Sequence, residues 1–252
     1  MVDDEAVPIV LLHGVGLDSS IWRDLEEAIT AGSCRTVTAI DLPGHGSQPP
    51  LGGSVTLDDL VDDVAARVPD RMHMVGFSVG ALIAARLVRR DPGRAATLTC
   101  VSSVYDRSPE QVSAVGERLH HAARDFPGSV EASLQRWFPT GTPVSSDRVE
   151  DVRRVLLAND VSSYLRVYEV FATADKQIIQ DVPQLEVPVL AVTGSEDSGS
   201  TPEMSRRLAD AAEDGRAVVV EGIRHMLPLE HPEHLAETLI TFLDDRTGAC
   251  HD

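Results

Sequence analysis

Residues 72–80 read Met-His-Met-Val-Gly-Phe-Ser-Val-Gly, and this stretch decides the fold. Met72 to Phe77 is a short apolar run, the pattern of a strand buried on both faces. From Val79 to Arg90 the residues are rich in Ala and Leu at helical spacing. Between them stands Gly76-Phe77-Ser78-Val79-Gly80, a G-x-S-x-G. The letters alone also fit an ordinary glycine-flanked turn serine. A strand in front and a helix behind predict a sharp elbow that needs small residues on either side of an exposed hydroxyl. Ser78 is therefore the candidate nucleophile. The following helix would aim its first amide, that of Val79, and its positive end at any developing oxyanion.

Working outward, the same alternation recurs. Val7 to Leu12 predicts a strand running into His13-Gly14-Val15-Gly16, and a helical stretch covers about Asp18 to Thr30. Thr36 to Ile40 predicts a second strand, halted by Asp41-Leu42-Pro43-Gly44-His45-Gly46. Thr56 reads as an N-cap with Asp59 in a capping-box position, and Leu57, Leu60, Val61, Val64 and Val68 form one helical face. Further strands are predicted at Ala95–Val101, Val187–Val192 and Ala217–Val220. Thr201-Pro202-Glu203 opens one helix, and Pro232 to Leu243 forms the last. Strands alternating with helices of this length predict a parallel sheet covered on both faces. Between about Val104 and Val182 the rhythm gives way to several helices. The expected organisation is a core of residues 1–103 and 184–252 with a helical cap over 104–183.

A serine hydroxyl needs a base within hydrogen-bond reach. In a sheet built around such an elbow, the acid and then the histidine follow the serine in chain order. Of nine histidines, His225 lies in the loop after the last predicted strand, which makes it the candidate base. His13 and His45 precede the serine, His73 lies within a strand, His120 and His121 fall on the helical insertion, and His231 and His234 open the final helix. Thr193-Gly194-Ser195-Glu196-Asp197 ends the preceding strand. Asp197 is favoured over Glu196 because a short carboxylate on a tight loop is easier to aim at an imidazole. Asp106, after the strand ending near Val101, is the rival acid, and Asp197 as a simple turn cap is the plainer alternative. The glycine-rich turn after the first strand lets a backbone amide approach a reacting oxygen unobstructed. Val15 and Val79 are thus the candidate oxyanion pair, with Gly14 beside the substrate. No phosphate-loop motif is completed there.

Composition excludes other classes. The 252 residues can bury a full core, and 42% hydrophobic with 25% charged residues marks an ordinary globular chain. A formal charge of −18 argues against a nucleic-acid partner, because phosphate binding needs clustered Lys and Arg. The acidic Met-Val-Asp-Asp-Glu-Ala start lacks the pattern of a signal peptide, and no apolar run approaches the ~20 residues of a membrane span. Cys34, Cys100 and Cys250 are odd in number and scattered, with no disulfide or metal-ligand spacing. A cytoplasmic protein acting on a small molecule, as monomer or homodimer and without metal or membrane, is expected.

With these motifs in order, the chain resembles the α/β-hydrolase superfamily from end to end. The carriers are V-L-L-H-G-V-G, D-L-P-G-H-G-S at 41–47, G-F-S-V-G, T-G-S-E-D, and G-I-R-H followed by E-H-P-E. Within it the chain is most similar to the 3-oxoadipate enol-lactonase and small-esterase group, through the compact cap, Arg136-Trp137-Phe138 and Phe171-Ala172-Thr173-Ala174-Asp175. The resemblance implies hydrolysis of a small ester or lactone with no cofactor. Cleavage of C–C bonds, cofactor-free oxygenase or lyase chemistry, and simple ligand binding occur on the same fold. Three departures stand out. Few residues precede the first strand, so an N-terminal antiparallel hairpin is not expected. Ala81 stands where many relatives carry a second glycine, and Arg224 replaces the glycine that often precedes the histidine. Arg136 beside Trp137 offers a partner for a substrate carboxylate, or else is a surface arginine next to a packed Trp.

Overall fold

A computed structural model describes residues 7–247; Cys250 lies outside the described residues. Six strands form one wholly parallel sheet: β1 (Ile9–Leu12), β2 (Val37–Ile40), β3 (Met72–Phe77), β4 (Ala95–Val101), β5 (Val189–Gly194) and β6 (Gly215–Val220), in the order β2-β1-β3-β4-β5-β6. Every residue of β1, β3 and β5 is buried. That is why these strands read as continuous apolar runs rather than alternating ones. The edge strands β2 and β6 are only partly covered.

Helices α1 (Arg23–Gly32), α2 (Leu57–Arg67), α3 (Val79–Arg90), α9 (Pro202–Ala211) and α11 (Pro232–Thr247) accompany the sheet, with the short α10 (Leu227–Glu230) leading into α11. The chain moves outward from β1 to β2, then crosses back over β1 to β3. With right-handed crossovers, α1 and α2 must lie on opposite faces, and α1 indeed packs against α11 while α2 packs against α3. The Thr56–Asp59 capping box is present in both directions, and Leu57, Leu60, Val61 and Val64 are the buried face of α2. Thr201 caps α9 by accepting the Met204 amide.

Between β4 and β5 run five helices: α4 (Pro109–Arg124), α5 (Phe126–Trp137), α6 (Ser146–Ala158), α7 (Val161–Thr173) and α8 (Asp175–Asp181). Several boundaries differ from the sequence reading; β2 begins one residue later, at Val37, and the last helix runs on to Thr247. Val7 and Pro8 precede β1 rather than forming it, and the first helix is split by a tight turn at Ser19–Trp22 capped by Asp18. β5 begins at Val189 and continues to Gly194, and β6 begins two residues early at Gly215. In the last two cases strand pairing overrode turn-forming glycines, since Gly194 pairs with Val220 and Val189 with Gly215.

The strand order reverses between β1 and β3. A crevice opens at such a switch point, beyond the carboxyl ends of the strands. Leu12 is in register with Gly76 and Val101 with Phe77, so the loops after β1, β3 and β4 emerge side by side there.

Candidate active site

Ser78 sits alone between β3 and α3 with φ 55° and ψ −116°. A non-glycine residue there costs of order 1–3 kcal/mol and persists only where its surroundings enforce it. Here the Ser78 amide donates to Val101 O (3.0 Å), tying the elbow to β4. Both flanking glycines are sterically required. A Cβ on Gly76 would strike the Gly80 carbonyl, and one on Gly80 would lie 2.6 Å from His13 O and closer still to Leu12 O. Without side chains, the start of α3 can press against the end of β1.

That contact brings the first oxyanion candidate beside the serine. A Cβ on Gly14 would be 3.3 Å from Ser78 Cβ and 3.0 Å from the Phe77 ring, so the loop after β1 touches the elbow directly. Among the described residues, the amides of Val15 and Val79 donate to no acceptor in the protein, although Val79 is fully buried. Buried backbone donors are nearly always paired, so the unpaired amide of buried Val79, next to the Ser78 hydroxyl, is free to meet an acceptor that a ligand would bring.

His13 holds this loop from beneath, with the His45 ring beside it. His13 is wholly buried, its Nε2 accepts the Leu42 amide (2.9 Å), and its Nδ1 donates to Gly14 O (2.8 Å). Burial, reinforced by neighbouring His45, pushes its pKa down to about 3. His13 is thus a neutral structural pin.

His225 Nδ1 lies 2.7 Å from Asp197 Oδ2. Asp197 is only 4% exposed, and its other oxygen accepts the amides of Gly199 and Ser200, each at 2.9 Å. Three hydrogen bonds therefore fix this carboxylate. Asp106 lies elsewhere, paired with Arg207 at 2.8 Å, and makes no contact with the imidazole. Glu196 pairs with Arg224. The His225 loop docks on β5 because Gly194 lacks a side chain: a Cβ there would meet Ile223 O and Arg224 O. The His225 ring packs against Phe77 (centroids 5.1 Å apart) and stacks on Trp137 (5.8 Å, planes 25° apart). Among the described residues Ser78 Oγ makes no hydrogen bond, yet it and His225 line the same cavity, which opens to solvent. Hydrogen bonds between a hydroxyl and a prospective base are often long or poorly aligned where no ligand is bound.

Of the residues singled out by sequence, Gly14, Val15, Ser78, Arg136, Trp137, Asp197 and His225 all line this cavity. Arg136 is exposed, and its guanidinium bonds within its own helix to Ala132 O and Ser133 Oγ. Sequence reasoning missed Arg107, Arg118, Tyr164 and Tyr168, which also line the cavity. It also missed Glu230, whose buried carboxylate accepts the amides of Arg224 (3.1 Å) and Met226 (3.0 Å) on either side of His225. Burial drives the Glu230 carboxyl above its usual range, against the pull of those two amides. Only the E-H-P-E motif pointed toward Glu230. Among the described residues no cluster of His, Cys, Asp and Glu has the arrangement of a metal site, and no helix is long and apolar enough to cross a membrane.

The strand order, the strained elbow and the loop-borne His–Asp pair are those of an α/β-hydrolase. Residues 9–238 match the sequence model of the Alpha/beta hydrolase family, and the chain belongs to that family. It is 30% identical over 247 residues to an (E)-2-((N-methylformamido)methylene)succinate hydrolase of Acinetobacter baylyi, covering 95% of this chain and 91% of that one. It is 28% identical to a pimeloyl-[acyl-carrier protein] methyl ester esterase of Aeromonas hydrophila, covering 93% and 94%. Among solved structures it resembles an enol-lactonase from Burkholderia xenovorans, with TM-score 0.81, 26% identity, and coverage of 94% and 91%.

Proposed function

We propose that the protein is a serine hydrolase of small carboxylic esters or lactones, working by acyl transfer from Ser78 to water. The observation that carries this reading is the convergence, in one cavity, of a strained serine, the unpaired Val15 amide and a histidine held by a buried carboxylate, with the unpaired Val79 amide next in chain to the serine. Asp197 accepts from Nδ1, which leaves the lone pair on His225 Nε2 to take the Ser78 proton as Oγ attacks the carbonyl carbon. The carbonyl oxygen, now an anion, turns to the Val15 and Val79 amides. The imidazolium returns its proton to the leaving oxygen, and the alcohol departs. Water then repeats the cycle on the acyl-enzyme, releasing acid and free serine.

Residues 104–183 act as a cap. Trp137 from α5 lies over the imidazole and would exclude bulk water from one side of it. The named substrates of the relatives, a methyl ester and a succinate derivative, support an acyl substrate in this partly aromatic cavity.

The test is Ser78→Ala on a panel of p-nitrophenyl esters and enol-lactones, with fluorophosphonate labelling of the parent protein. Turnover is expected to fall by at least about 10³-fold, and the label should map to Ser78. A variant as fast as the parent on every hydrolysed substrate would remove the serine mechanism.

A further inference from the structure

Against the charge of −18, the cavity stands out. Four arginines (Arg107, Arg118, Arg136 and Arg224) face two carboxylates, Glu196 and Asp197. Both carboxylates are already engaged, Glu196 by Arg224 and Asp197 by His225. The other three guanidiniums have no carboxylate partner among the described residues, in a chain where most arginines of the helices and loops are ion-paired.

Arg107 is the most informative of the three. It is only 9% exposed, its Nη1 donates to Phe171 O (3.1 Å), and its guanidinium lies 4.6 Å from the Phe171 ring centre. Its Nη2 is buried with no hydrogen-bond partner. The nearby carboxylate, Asp175, spends both oxygens on the amides of Asp106 and Arg107 instead. A buried guanidinium with no direct ion pair is costly, and a carboxylate brought by a ligand would supply the missing hydrogen-bonded partner. Burial and then the like charge of Arg118, set against the pull of Asp175, leave the Arg107 pKa near 10, so it is still cationic at neutral pH.

We propose that Arg107, with Arg118 and Arg136 around it, forms a carboxylate subsite, so that the natural substrate carries a carboxylate remote from the bond Ser78 cleaves. The proposal rests on the serine-hydrolase reading. A planar guanidinium offers paired N–H donors that match the two oxygens of a carboxylate. The aromatic lining of Tyr164, Tyr168 and Phe171 suits the carbon skeleton of an organic acid better than a bare phosphate. The local positive charge also resolves how a strongly acidic protein takes an anion: attraction inside the cavity offsets repulsion outside.

The experiment uses the full chain and matched esters. p-Nitrophenyl hemiglutarate is compared with p-nitrophenyl valerate, and carboxymethyl butyrate with ethyl butyrate, so that the carboxylate sits on the acyl or on the alcohol side. In at least one pair, kcat/KM should favour the charged ester by about tenfold or more. That charged-to-neutral ratio should collapse in Arg107→Gln and fall in Arg118→Gln, the less buried position, which keeps the test usable if the first variant does not fold. Glutarate should inhibit competitively, and glutaramide should not. The proposal is overturned if neither pair shows a preference, if both variants leave the ratio unchanged, or if inorganic phosphate inhibits as strongly as glutarate. Failure of the underlying reading shows differently, as absence of fluorophosphonate label at Ser78.

Discussion

Replacing Gly194 with alanine tests whether the position of His225 is set by close packing between strand and loop. Gly194 ends β5, and a methyl group on it would lie 2.6 Å from the Arg224 carbonyl oxygen and nearer still to that of Ile223. Ordinary contact begins at 3.4 Å, so the Arg224 carbonyl must retreat by about 0.8 Å and the nearer Ile223 carbonyl by more than that. The Glu196 amide, which donates to Ile223 O at 2.9 Å, moves with it or loses its bond. Overpacking of this kind costs about 1–3 kcal/mol, too little to unfold a domain of ordinary stability. A displacement of about 1 Å at a proton-transferring group, by contrast, costs on the order of 10²-fold in rate. The expected result is a folded protein, by circular dichroism and thermal melting, whose kcat/KM on a p-nitrophenyl ester falls by about 10–100-fold. The rate of fluorophosphonate labelling of Ser78 should fall in parallel, because that step needs the same base. Gly93→Ala is the control, since a Cβ there meets nothing within 4 Å. A folded Gly194→Ala protein working within threefold of the parent would refute the argument that this contact places the imidazole.

Two further predictions concern groups beneath and behind the site. Removing Glu230 as Glu230→Ala should lower kcat by about tenfold or more with little change in KM, because both amide anchors flanking His225 lose their acceptor. Glu230→Gln, which retains one acceptor oxygen, should recover part of that loss, whereas a Tm drop with kcat intact would reduce Glu230 to a purely structural role. His13 is held neutral, with a folded pKa of about 3 against about 6.5 when unfolded. The unfolded chain therefore binds the proton first, and this group's stabilisation is complete above about pH 6.5 and lost as pH falls toward 3. From pH 7 to pH 5 that loss is about 2 kcal/mol. Urea titrations should show a correspondingly shallower pH dependence in His13→Gln, and equal slopes in parent and variant would contradict the assignment.

The elements of the sheet were legible in the sequence because their signals are local. Apolar runs marked β3 and β4 to the residue, Thr56 and Thr201 marked two helix starts, and G-x-S-x-G marked the turn at Ser78. Chain order then singled out His225 as the candidate base, since each loop of a parallel sheet follows its strand to the same edge. Other features needed the tertiary structure. Asp106 and Asp197 both follow strands, and only the packing of α9 near Asp106, which brings Arg207 to it, together with Gly194 against Ile223, separated a surface ion pair from the partner of the imidazole. Trp137 over His225, and Arg107, Arg118 and Arg136 around one cavity, depend on where helices distant in sequence come to rest. Helical periodicity shows which face of α4 or α5 is apolar but not what that face meets, because the meeting is set by side chains packing across a hundred residues of chain.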